Sequence, residues 1–397
     1  MKRPDPADRP LTVLQVVPAL DSGGAEQTCI EIAGALTAVG SRALATGAPG
    51  RLVPAFEAAG GTFHPLPLKT KSPLGLYRNA ARIAHLIEAE SVDIVHARSR
   101  APAWSALLAA RRTGRPFVTT YHGIYGERSA AKRLYNSVMA RGDRVIANSD
   151  FTADLIRTRY GTPTERVVVI HRGIEPDRFD PARFDDAAVM AQRRSWGVPD
   201  GAPVVLLPGR LTAWKGQETA IRALAQAGPD GRPDARLVLV GGDQGRDAYH
   251  AQLKALTAEL GLAERVVFAG HSDDMARAFA ASDVALSTST KPEAFGRVVV
   301  EAQAMGLPVI ASELGPVAET VVAPPHSEEA ARTGWLVPPA DPTALAAAID
   351  EVLALPPEAK HTLAARARAH VLGSFTVSRM TEATLAVYRQ LVSAGTR

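Results

Sequence analysis

Cysteine and long apolar runs are scarce in this sequence. Of its 397 residues only Cys29 is a cysteine, which excludes a disulfide framework and a cysteine-based metal site and fits a reducing cytosol. No window approaches the roughly 18 to 20 uninterrupted apolar residues that a membrane-spanning helix needs. The opening stretch, MKRPDPADRP, places prolines and aspartates where a signal peptide has its apolar core. We therefore expect a cytoplasmic protein.

Two common nucleotide-binding motifs are absent as well. The loop after the first predicted strand lacks G-x-G-x-x-G, and the sequence contains no G-x-x-x-x-G-K-[ST]. These absences argue against a dinucleotide-dependent oxidoreductase and against a P-loop nucleotidase.

The charge balance excludes another class of protein. A net charge of +4 is too small to indicate a nucleic-acid-binding protein, although attraction to phosphates or to an anionic membrane face stays open. The hydrophobic fraction of 46% and the charged fraction of 22% are typical of soluble globular proteins. A chain of this length usually forms two domains. Heavy use of Ala, Arg and Pro suggests a bacterial gene of high GC content.

Short β-branched runs alternate with longer Ala- and Leu-rich segments, a pattern that predicts parallel sheets covered by helices. Two such series in tandem predict two Rossmann-like domains of the α/β class. The predicted strands are 11–17, 92–98, 116–122, 144–149 and 166–172, then 203–209, 235–241, 265–270, 283–289 and 307–312. The predicted helices include 24–39, 75–90, 216–227, 248–260 and 343–355.

The boundary between the domains is predicted from composition. Residues 173–203 are rich in Pro, Asp and Arg and lack a core periodicity, so the linker falls there. The last segment, 375–392, has an apolar stripe and is expected to pack back on the first domain. We expect residues 1–185, with 375–397, to form the first domain and residues 186–374 to form the second.

Two cations follow the predicted strand 203–209, in the stretch PGRLTAWKGQ. Arg210 lies at the strand end, and Lys215 precedes Gly216 at the start of a predicted helix. A guanidinium and an ammonium near a helix N-terminus form an anion site. The alternative is a pair of solvated side chains on a loop.

Two carboxylates lie eight positions apart in KPEAFGRVVVEAQAMGLPVIAS, residues 291–312. Glu293 falls in a predicted loop and Glu301 on a predicted helix over 297–305. Eight helical residues rise about 12 Å, a scale that matches a sugar nucleotide. The alternative for Glu301 is an exposed helix glutamate, but the valines around it leave little polar surface.

Together these motifs resemble the retaining glycosyltransferases of family 4, which have the GT-B fold. The resemblance rests on Glu-x₇-Glu with Phe-Gly, on the preceding GRL…KG and on the following GLPVIAS, and it covers nearly the whole chain. Further matching segments are SGGAEQ (22–27), VTTYHG (118–123), VIANSDFTADLI (145–156), VIHRGIEPDRFDP (169–181) and TGWLVPPADPTALAAAI (333–349). The resemblance implies two Rossmann-like domains facing a deep cleft, with a C-terminal helix crossing back to the first.

The resemblance also implies a role for each site residue. The donor diphosphate would be bound by Arg210 and Lys215, and the ribose hydroxyls by Glu301. The sugar hydroxyls would be held by Glu293 with the amides around Phe295 and Gly296. In the first domain, Gly23 and Gly24 would let the backbone approach the ligand, and His122 would face the sugar. The catalytic candidates are Glu293, His122, Arg210 and Lys215.

The expected chemistry needs no metal or other cofactor. A sugar diphosphate already has a good leaving group, so the enzyme mainly supplies orientation and fixed positive charge. No Asp-x-Asp pair is placed like a metal site. The resemblance implies a front-face displacement. A double displacement would need a nucleophilic carboxylate beside the anomeric carbon, and the sequence does not identify one.

Weaker signals concern the acceptor and the membrane. The acceptor-side candidates are Arg98, Arg100, Lys69 and Lys71, which could meet an acidic or phosphorylated acceptor. Residues 127–144 have the pattern of a basic amphipathic helix that could lie on an anionic membrane. The alternative is a solvated helix whose apolar face lies in the core.

These observations predict a retaining bacterial glycosyltransferase that uses a nucleotide-diphosphate donor, with UDP as the expected nucleotide. The expected acceptor is a lipid-linked, lipopolysaccharide or polysaccharide glycan of the cell envelope. The protein would be cytoplasmic or peripheral on the inner face of the membrane. A sugar-nucleotide epimerase or hydrolase of the same fold and a non-catalytic sugar-nucleotide-binding protein are the alternatives.

Overall fold

The computed structural model describes residues 9–21, 23–70, 72–127, 129–227 and 234–394. The chain divides into two compact units. Unit 1 consists of Met1–His171 with Val377–Arg397, and unit 2 consists of Arg172–Thr376.

Unit 1 is built on a seven-stranded parallel sheet in the order β3-β2-β1-β4-β5-β6-β7. Its strands are β1 (Thr12–Ala19), β2 (Arg42–Ala48), β3 (Thr62–Pro65), β4 (Ile94–Ala97), β5 (Phe117–Tyr121), β6 (Arg144–Ala147) and β7 (Val167–Val169). Its helices are α1 (Gly24–Ala38), α2 (Val53–Ala58), α3 (Pro73–Ala89), α4 (Arg100–Thr113), α5 (Ala130–Asn136), α6 (Asp150–Tyr160) and the last helix, α15 (Val377–Ala394).

Unit 2 is built on a six-stranded parallel sheet in the order β10-β9-β8-β11-β12-β13. Its strands are β8 (Val204–Pro208), β9 (Arg236–Val240), β10 (Val266–Gly270), β11 (Val284–Ser287), β12 (Val309–Ser312) and β13 (Trp335–Val337). Its helices are α7 (Asp186–Ser195), α8 (Gln217–Gln226), α9 (Asp247–Glu259), α10 (Met275–Ala280), α11 (Arg297–Ala304), α12 (Val317–Thr320), α13 (Pro342–Ala354) and α14 (Pro357–Ser374).

The predicted architecture of two parallel-sheet, Rossmann-like domains is confirmed, and each predicted strand is present. Three further strands lacked a sequence signal. Strand β2 reads RALATGA, which has no β-branched run, but it pairs on both sides and is therefore buried. Strands β3 and β13 are strands of four and three residues at sheet edges, too short to give a sequence pattern, although β13 buries Trp335 and Val337 in the core of unit 2. Among the described residues, no helix combines the length and the apolar composition that a bilayer crossing requires.

The chain enters unit 2 earlier than the composition suggested. Residues 172–185 were expected to belong with the first domain, yet Ile174 and Phe179 are buried in the core of unit 2. The ring of Phe179 lies 6.4 Å from that of Phe279, and the amide of Ile174 donates to the carbonyl of Phe375 at 2.9 Å. Apolar anchors spaced through a polar segment therefore decide where unit 2 begins.

The last helix packs on unit 1, as predicted. Met380, Leu385 and Leu391 are buried in the same core as residues of β1 and α1. Tyr388 is fully buried, and its hydroxyl lies 2.6 Å from Nδ1 of His96 in β4. The other ring nitrogen of His96 lies 2.7 Å from Oγ1 of Thr120 in β5. Burial lowers the pKa of His96 well below its usual value, so the imidazole is neutral and depends on these two partners.

Removing the Tyr388 hydroxyl should destabilise unit 1. In Tyr388→Phe, Nδ1 of His96 loses its buried partner, and the free energy of unfolding should fall by about 1–3 kcal/mol. Urea denaturation measures the change. Tyr77→Phe is the matched control, since Tyr77 is 67% exposed and its hydroxyl should contribute little. Equal stability of the two variants would contradict the proposed anchoring of α15.

Candidate active site

Unit 2 has a topological switch point between β8 and β11. Sheet order reverses there, because β8 leads to β9 and β10 on one side and β11 leads to β12 and β13 on the other. Ligands of open parallel sheets bind in the crevice at such a point, beyond the carboxyl ends of the strands. The loops after β8 and β11 are the two that carry Arg210, Lys215 and Glu293.

Backbone contacts hold these two loops against each other. The amide of Thr290 donates to the carbonyl of Trp214 at 2.7 Å, and Oγ1 of Thr288 donates to the carbonyl of Lys215 at 3.0 Å. Gly216 is left-handed, with φ of 74°, and a Cβ at this position would lie 1.9 Å from the carbonyl oxygen of Thr288. Only glycine allows this approach.

A half-buried ion pair joins the same loops. Nζ of Lys215 lies 2.6 Å from Oε1 of Glu293, with side-chain exposures of 14% and 20%. The hydroxyl of Ser289 donates to the same Oε1 at 2.6 Å, and the Lys215 ammonium lies 4.7 Å from the centre of the Trp214 ring. From the sequence, Lys215 and Glu293 were expected to bind different parts of a ligand, whereas in the structure they bind each other. Each therefore orients the other before any ligand binds.

Unit 2 contains a cavity of about 420 Å³, and neither Lys215 nor Glu293 is among the residues that line it. Its lining includes Arg210 and Glu301, and its floor includes Gly209, Gly241 and Gly242. A Cβ on Gly241 would lie 2.1 Å from the carbonyl oxygen of Gly209, so the backbones of the β8 and β9 loops meet without intervening side chains. The N–H groups of Gly209 and Gly241 donate to the carbonyls of Val240 and Gly270 at 2.8 and 2.7 Å. The floor therefore offers a ligand a close approach to the backbone, not those two donors. The remaining lining residues are Pro208, Val240, Gln244, His271, Ser272, Met275 and Val298.

Lys215 reaches the edge of this cavity through its aliphatic stem. A Cβ built on Gly209 would lie 3.5 Å from Cδ of Lys215, so the stem lies close to Gly209, which belongs to the cavity lining. Arg210 is exposed, and its Nη1 donates to Oε1 of Gln244 at 3.2 Å. Its carbonyl accepts from Nε2 of the buried Gln217 at 2.9 Å. Of the two predicted cations, Arg210 therefore lines the cavity, and Lys215 approaches it only through its stem near Gly209.

Glu301 projects from α11 and is 12% exposed. Nε of Arg297, one turn earlier, donates to its Oε1 at 3.1 Å. Burial raises the pKa of the Glu301 carboxyl, although three neighbouring arginines act in the opposite direction; they are Arg297, Arg178 and Arg172. A shielded carboxylate with one oxygen engaged keeps acceptor capacity for the hydroxyls of a ligand.

Phe295 contributes to the interior rather than to the cavity. Its side chain is 3% exposed and packs against Phe375 with ring centres 5.7 Å apart. Gly296 follows with φ of 84° and caps the start of α11. Any ligand contact from this pair would come from the backbone, as the resemblance implies.

The predicted residues of unit 1 lie at the carboxyl ends of its strands. Gly23 has φ of 127° and caps α1, of which Gly24 is the first residue. Both follow β1, at the point where sheet order reverses between β1 and β4. His122 directly follows β5 and is half-buried.

The acceptor-side candidates differ in their surroundings. Arg98 is 2% exposed, and its Nε and Nη2 donate to Oε1 of Gln15 at 2.8 and 2.5 Å. Gln15 in turn donates to the carbonyl of Cys29 in α1 at 2.9 Å. Arg98 therefore supports the junction of β1, β4 and α1 from inside, which the position after a strand did not reveal.

The other three candidates are less enclosed or lie outside the described residues. Arg100 donates to Oδ1 of Asn136 at 2.9 Å and stacks 4.0 Å from the Tyr125 ring centre. Lys69 is exposed. Lys71 lies outside the described residues, as do Ser22 of the glycine-rich loop and Arg128.

The prediction of a single amphipathic helix over 127–144 is wrong. Helix α5 spans Ala130–Asn136, a 3₁₀ turn spans Ser137–Ala140, and Arg144 already begins β6. The hydroxyl of Ser129 caps α5 by accepting from the amide of Lys132. The helix is short because Val138 and Met139 turn into the core beneath it.

Several residues of the site had no predicted role. Ser289 holds Glu293, and Gln244 holds Arg210. The pair Gly241-Gly242 after a predicted strand was a usable signal, of the same kind as Gly23-Gly24. The hydrogen bond from Ser289 to Glu293 depends on the conformation of the loop between them, and no sequence pattern indicated it.

Substituting Gly216 should destabilise unit 2 strongly. Gly216→Ala places a methyl group against a backbone carbonyl at a left-handed position, so we expect a loss of more than about 2 kcal/mol in the free energy of unfolding. Gly261→Ala is the control, because φ is 68° there and no atom lies within 4 Å of the added Cβ; it should lose only about 1 kcal/mol. Chemical denaturation compares them. Equal losses would show that the two loops are not closely apposed.

Comparison with protein families gives two matches. The model described as "Glycosyl transferases group 1" matches residues 189–370, and the model described as "Glycosyltransferase Family 4" matches residues 22–178. Among curated proteins, the D-inositol 3-phosphate glycosyltransferase of Stackebrandtia nassauensis is 32% identical over 320 residues, covering 75% of this chain and 68% of that protein. The enzyme of the same name from Acidothermus cellulolyticus is 31% identical over 357 residues, covering 84% and 75%.

Solved structures show the same relationship. A glycosyltransferase from Rickettsia africae superposes with a TM-score of 0.87 at 34% identity, covering 96% of this chain and 98% of that chain. Anabaena Alr3699/HepE, in complex with UDP and glucose, superposes with a TM-score of 0.82 at 27% identity, covering 95% and 99%.

Proposed function

This chain belongs to glycosyltransferase family 4, and from that premise we propose that it transfers a sugar from a UDP-sugar with retention of anomeric configuration. The observation that carries the proposal is the cavity of unit 2, which combines an arginine, a glycine floor and a shielded carboxylate at one switch point. The arginine and the glycine floor suit a diphosphate, and the carboxylate suits the hydroxyls of a ribose.

The cavity supports a specific assignment of donor groups. The diphosphate would lie over Gly209, Gly241 and Gly242, where the backbone carries no side chains, and would be bound by the cations of Arg210 and Lys215. Glu301 would accept hydrogen bonds from the ribose hydroxyls. Glu293, with the backbone at Phe295 and Gly296, would hold the sugar. UDP is the favoured nucleotide because the similar Anabaena protein has been solved with UDP and with UDP-glucose.

The Lys215–Glu293 pair supports a charge-based mechanism. An ammonium has three N–H donors, and the contact with Glu293 occupies one, so the others are available to a phosphate oxygen. As the glycosidic bond breaks, negative charge grows on the leaving diphosphate, and Arg210 and Lys215 stabilise it without reorganising. The fixed cations supply the charge that a metal ion would otherwise provide, so no metal or other cofactor is proposed. The leaving phosphate would take the acceptor proton in a front-face displacement.

Roles in unit 1 are proposed on the resemblance alone. Gly23 and Gly24 would offer backbone to the ligand, and His122 would contact the transferred sugar. Arg100 and Lys69 are the proposed acceptor contacts, while the enclosed position of Arg98 favours a supporting role.

The acceptor is proposed to be a lipid-linked or envelope glycan, met at the inner face of the cytoplasmic membrane. The name shared by the curated relatives favours a second candidate, a phosphorylated polyol such as D-inositol 3-phosphate. The two can be separated by incubating the enzyme with labelled donor and either a membrane lipid extract or D-inositol 3-phosphate. Label in the organic phase supports the first candidate, and label on a charged soluble product supports the second.

Donor identity can be read from thermal stability. UDP and UDP-sugars should raise the melting temperature, because a ligand at 100 times its Kd adds about 2.7 kcal/mol to the free energy of unfolding. GDP- and ADP-sugars at the same concentration are the controls. The shift should persist in EDTA. A shift seen with a GDP-sugar alone would overturn the UDP assignment, and loss of the shift in EDTA would overturn the metal-free site.

Glu301→Gln tests the ribose contact. The amide keeps the shape of the side chain but loses the charge that strengthens its hydrogen bonds, so the donor KM should rise about 10- to 100-fold. Glu218→Gln is the control, since Glu218 pairs with Arg222 on the exposed face of α8 and should leave KM unchanged. The donor KM of each variant is measured in a coupled assay of UDP release. An unchanged KM in Glu301→Gln would remove the assignment.

A further inference from the structure

Unit 1 exposes large apolar side chains on one group of helices. Five large hydrophobic residues are exposed among the described residues, and four of them lie on α3, α4 and α5. These are Leu74 at 58% exposure, Tyr77 at 67%, Leu108 at 47% and Leu134 at 59%. The fifth, Val39, follows the end of α1. Exposed apolar side chains gathered in this way mark an interaction surface.

Hydrogen bonds show that the three helices are neighbours. The hydroxyl of Ser105 in α4 donates to the carbonyl of Leu76 in α3 at 2.9 Å. The indole of Trp104, also in α4, donates to the carbonyl of Tyr135 in α5 at 3.1 Å. Leu74 and Tyr77 flank Leu76, and Leu134 precedes Tyr135. We call this surface the α3–α5 face.

The α3–α5 face is strongly basic. Its three helices contain one carboxylate, Glu88, near the end of α3. Arg141 stacks 5.2 Å from the ring centre of Trp104 in α4, and Nζ of Lys132 lies 5.6 Å from the ring centre of Tyr135 in α5, so these two cations lie against aromatic rings of the same helices. The exposed cations on and beside these helices are Arg78, Arg82, Arg111, Arg112, Arg115, Lys132, Arg133 and Arg141. The whole chain has a net charge of only +4, so positive charge is concentrated here.

We propose that the α3–α5 face docks on an anionic lipid bilayer. Apolar tips of the size of Leu and Tyr enter the boundary between headgroups and acyl chains, while the arginines and lysines contact lipid phosphates. A protein partner fits less well, because the apolar side chains are spread over three helices and positive charge far outweighs negative charge among them. Arg111 pairs with Asp143 at 3.0 Å, but the three helices themselves carry one carboxylate, which leaves little for mixed, specific pairing. The proposal extends beyond residues 127–144, since α3 and α4 supply three of the four apolar side chains.

The face is continuous with a loop of the proposed acceptor side. Nδ2 of Asn136, at the end of α5, donates to the carbonyl of Gly126 at 3.2 Å, and Arg100 of α4 stacks on Tyr125. Both contacts hold the segment that follows His122. Docking would therefore bring lipid headgroups to this loop, a consequence that rests on the proposed glycosyl transfer to a membrane acceptor. The docking itself rests only on exposure and charge.

Vesicle sedimentation with the full chain tests the proposal. The protein should sediment with equimolar phosphatidylcholine–phosphatidylglycerol vesicles and remain in solution with phosphatidylcholine alone. The double variants Tyr77→Ser/Leu134→Ser and Arg78→Glu/Lys132→Glu should each weaken binding about tenfold or more. Matched controls are Val39→Ser, an exposed apolar residue outside the face, and Arg194→Glu/Arg389→Glu, two exposed cations outside it; both should bind like the unmodified protein.

Donor binding by the same variants tests the membrane-docking proposal separately from the proposed glycosyl transfer. The UDP-induced rise in melting temperature should be unchanged in each variant, which also shows that the variants fold. Failure to sediment with anionic vesicles, equal binding to neutral vesicles, or equal loss in the control variants would overturn the docking surface while leaving donor chemistry untouched. Docking without any UDP response would instead count against the proposed function.

Discussion

The contact between Lys215 and Glu293 is the constraint on which the proposed donor site of unit 2 depends. It joins the loops after β8 and β11, the two strands at which sheet order reverses, and Ser289 fixes the shared carboxylate oxygen. A half-buried pair of this kind is a weak source of stability but a strong source of orientation, because neither side chain can move without leaving the other unpaired. It keeps an ammonium beside the cavity at which a diphosphate would arrive.

The rest of the cavity follows from how closely the backbones approach. Glycines at 216 and 241 allow loops to meet at distances that any Cβ would prevent, and the cavity floor is formed there by backbone instead of side chains. Glu301 completes the site from α11, where burial and arginine neighbours act on its pKa in opposite directions. Catalysis by such a site relies on preorganised charge, so rigidity of the loops contributes directly to function.

Unit 1 divides its polar residues between the interior and the surface. His96, Tyr388 and Arg98 form contacts inside it and connect strands with α1 and the last helix. The cations of α3, α4 and α5 instead lie outside, around exposed apolar side chains. The same residue type, arginine, therefore serves two purposes that only burial distinguishes.

Periodicity in the sequence was enough to determine the class of fold, ten of the strands and the return of the last helix, because buried strands and an apolar helical stripe impose local patterns. The motifs also determined the family and placed Arg210, Lys215, Glu293 and Glu301 near one another, since loops after parallel strands share one edge. What only the tertiary structure decided was which groups touch: the pairing of Lys215 with Glu293, the enclosure of Arg98 by Gln15, the start of unit 2 at Arg172 and the shortening of α5. Those outcomes depend on distances between residues that are far apart in the chain, and a local sequence pattern carries no information about such distances.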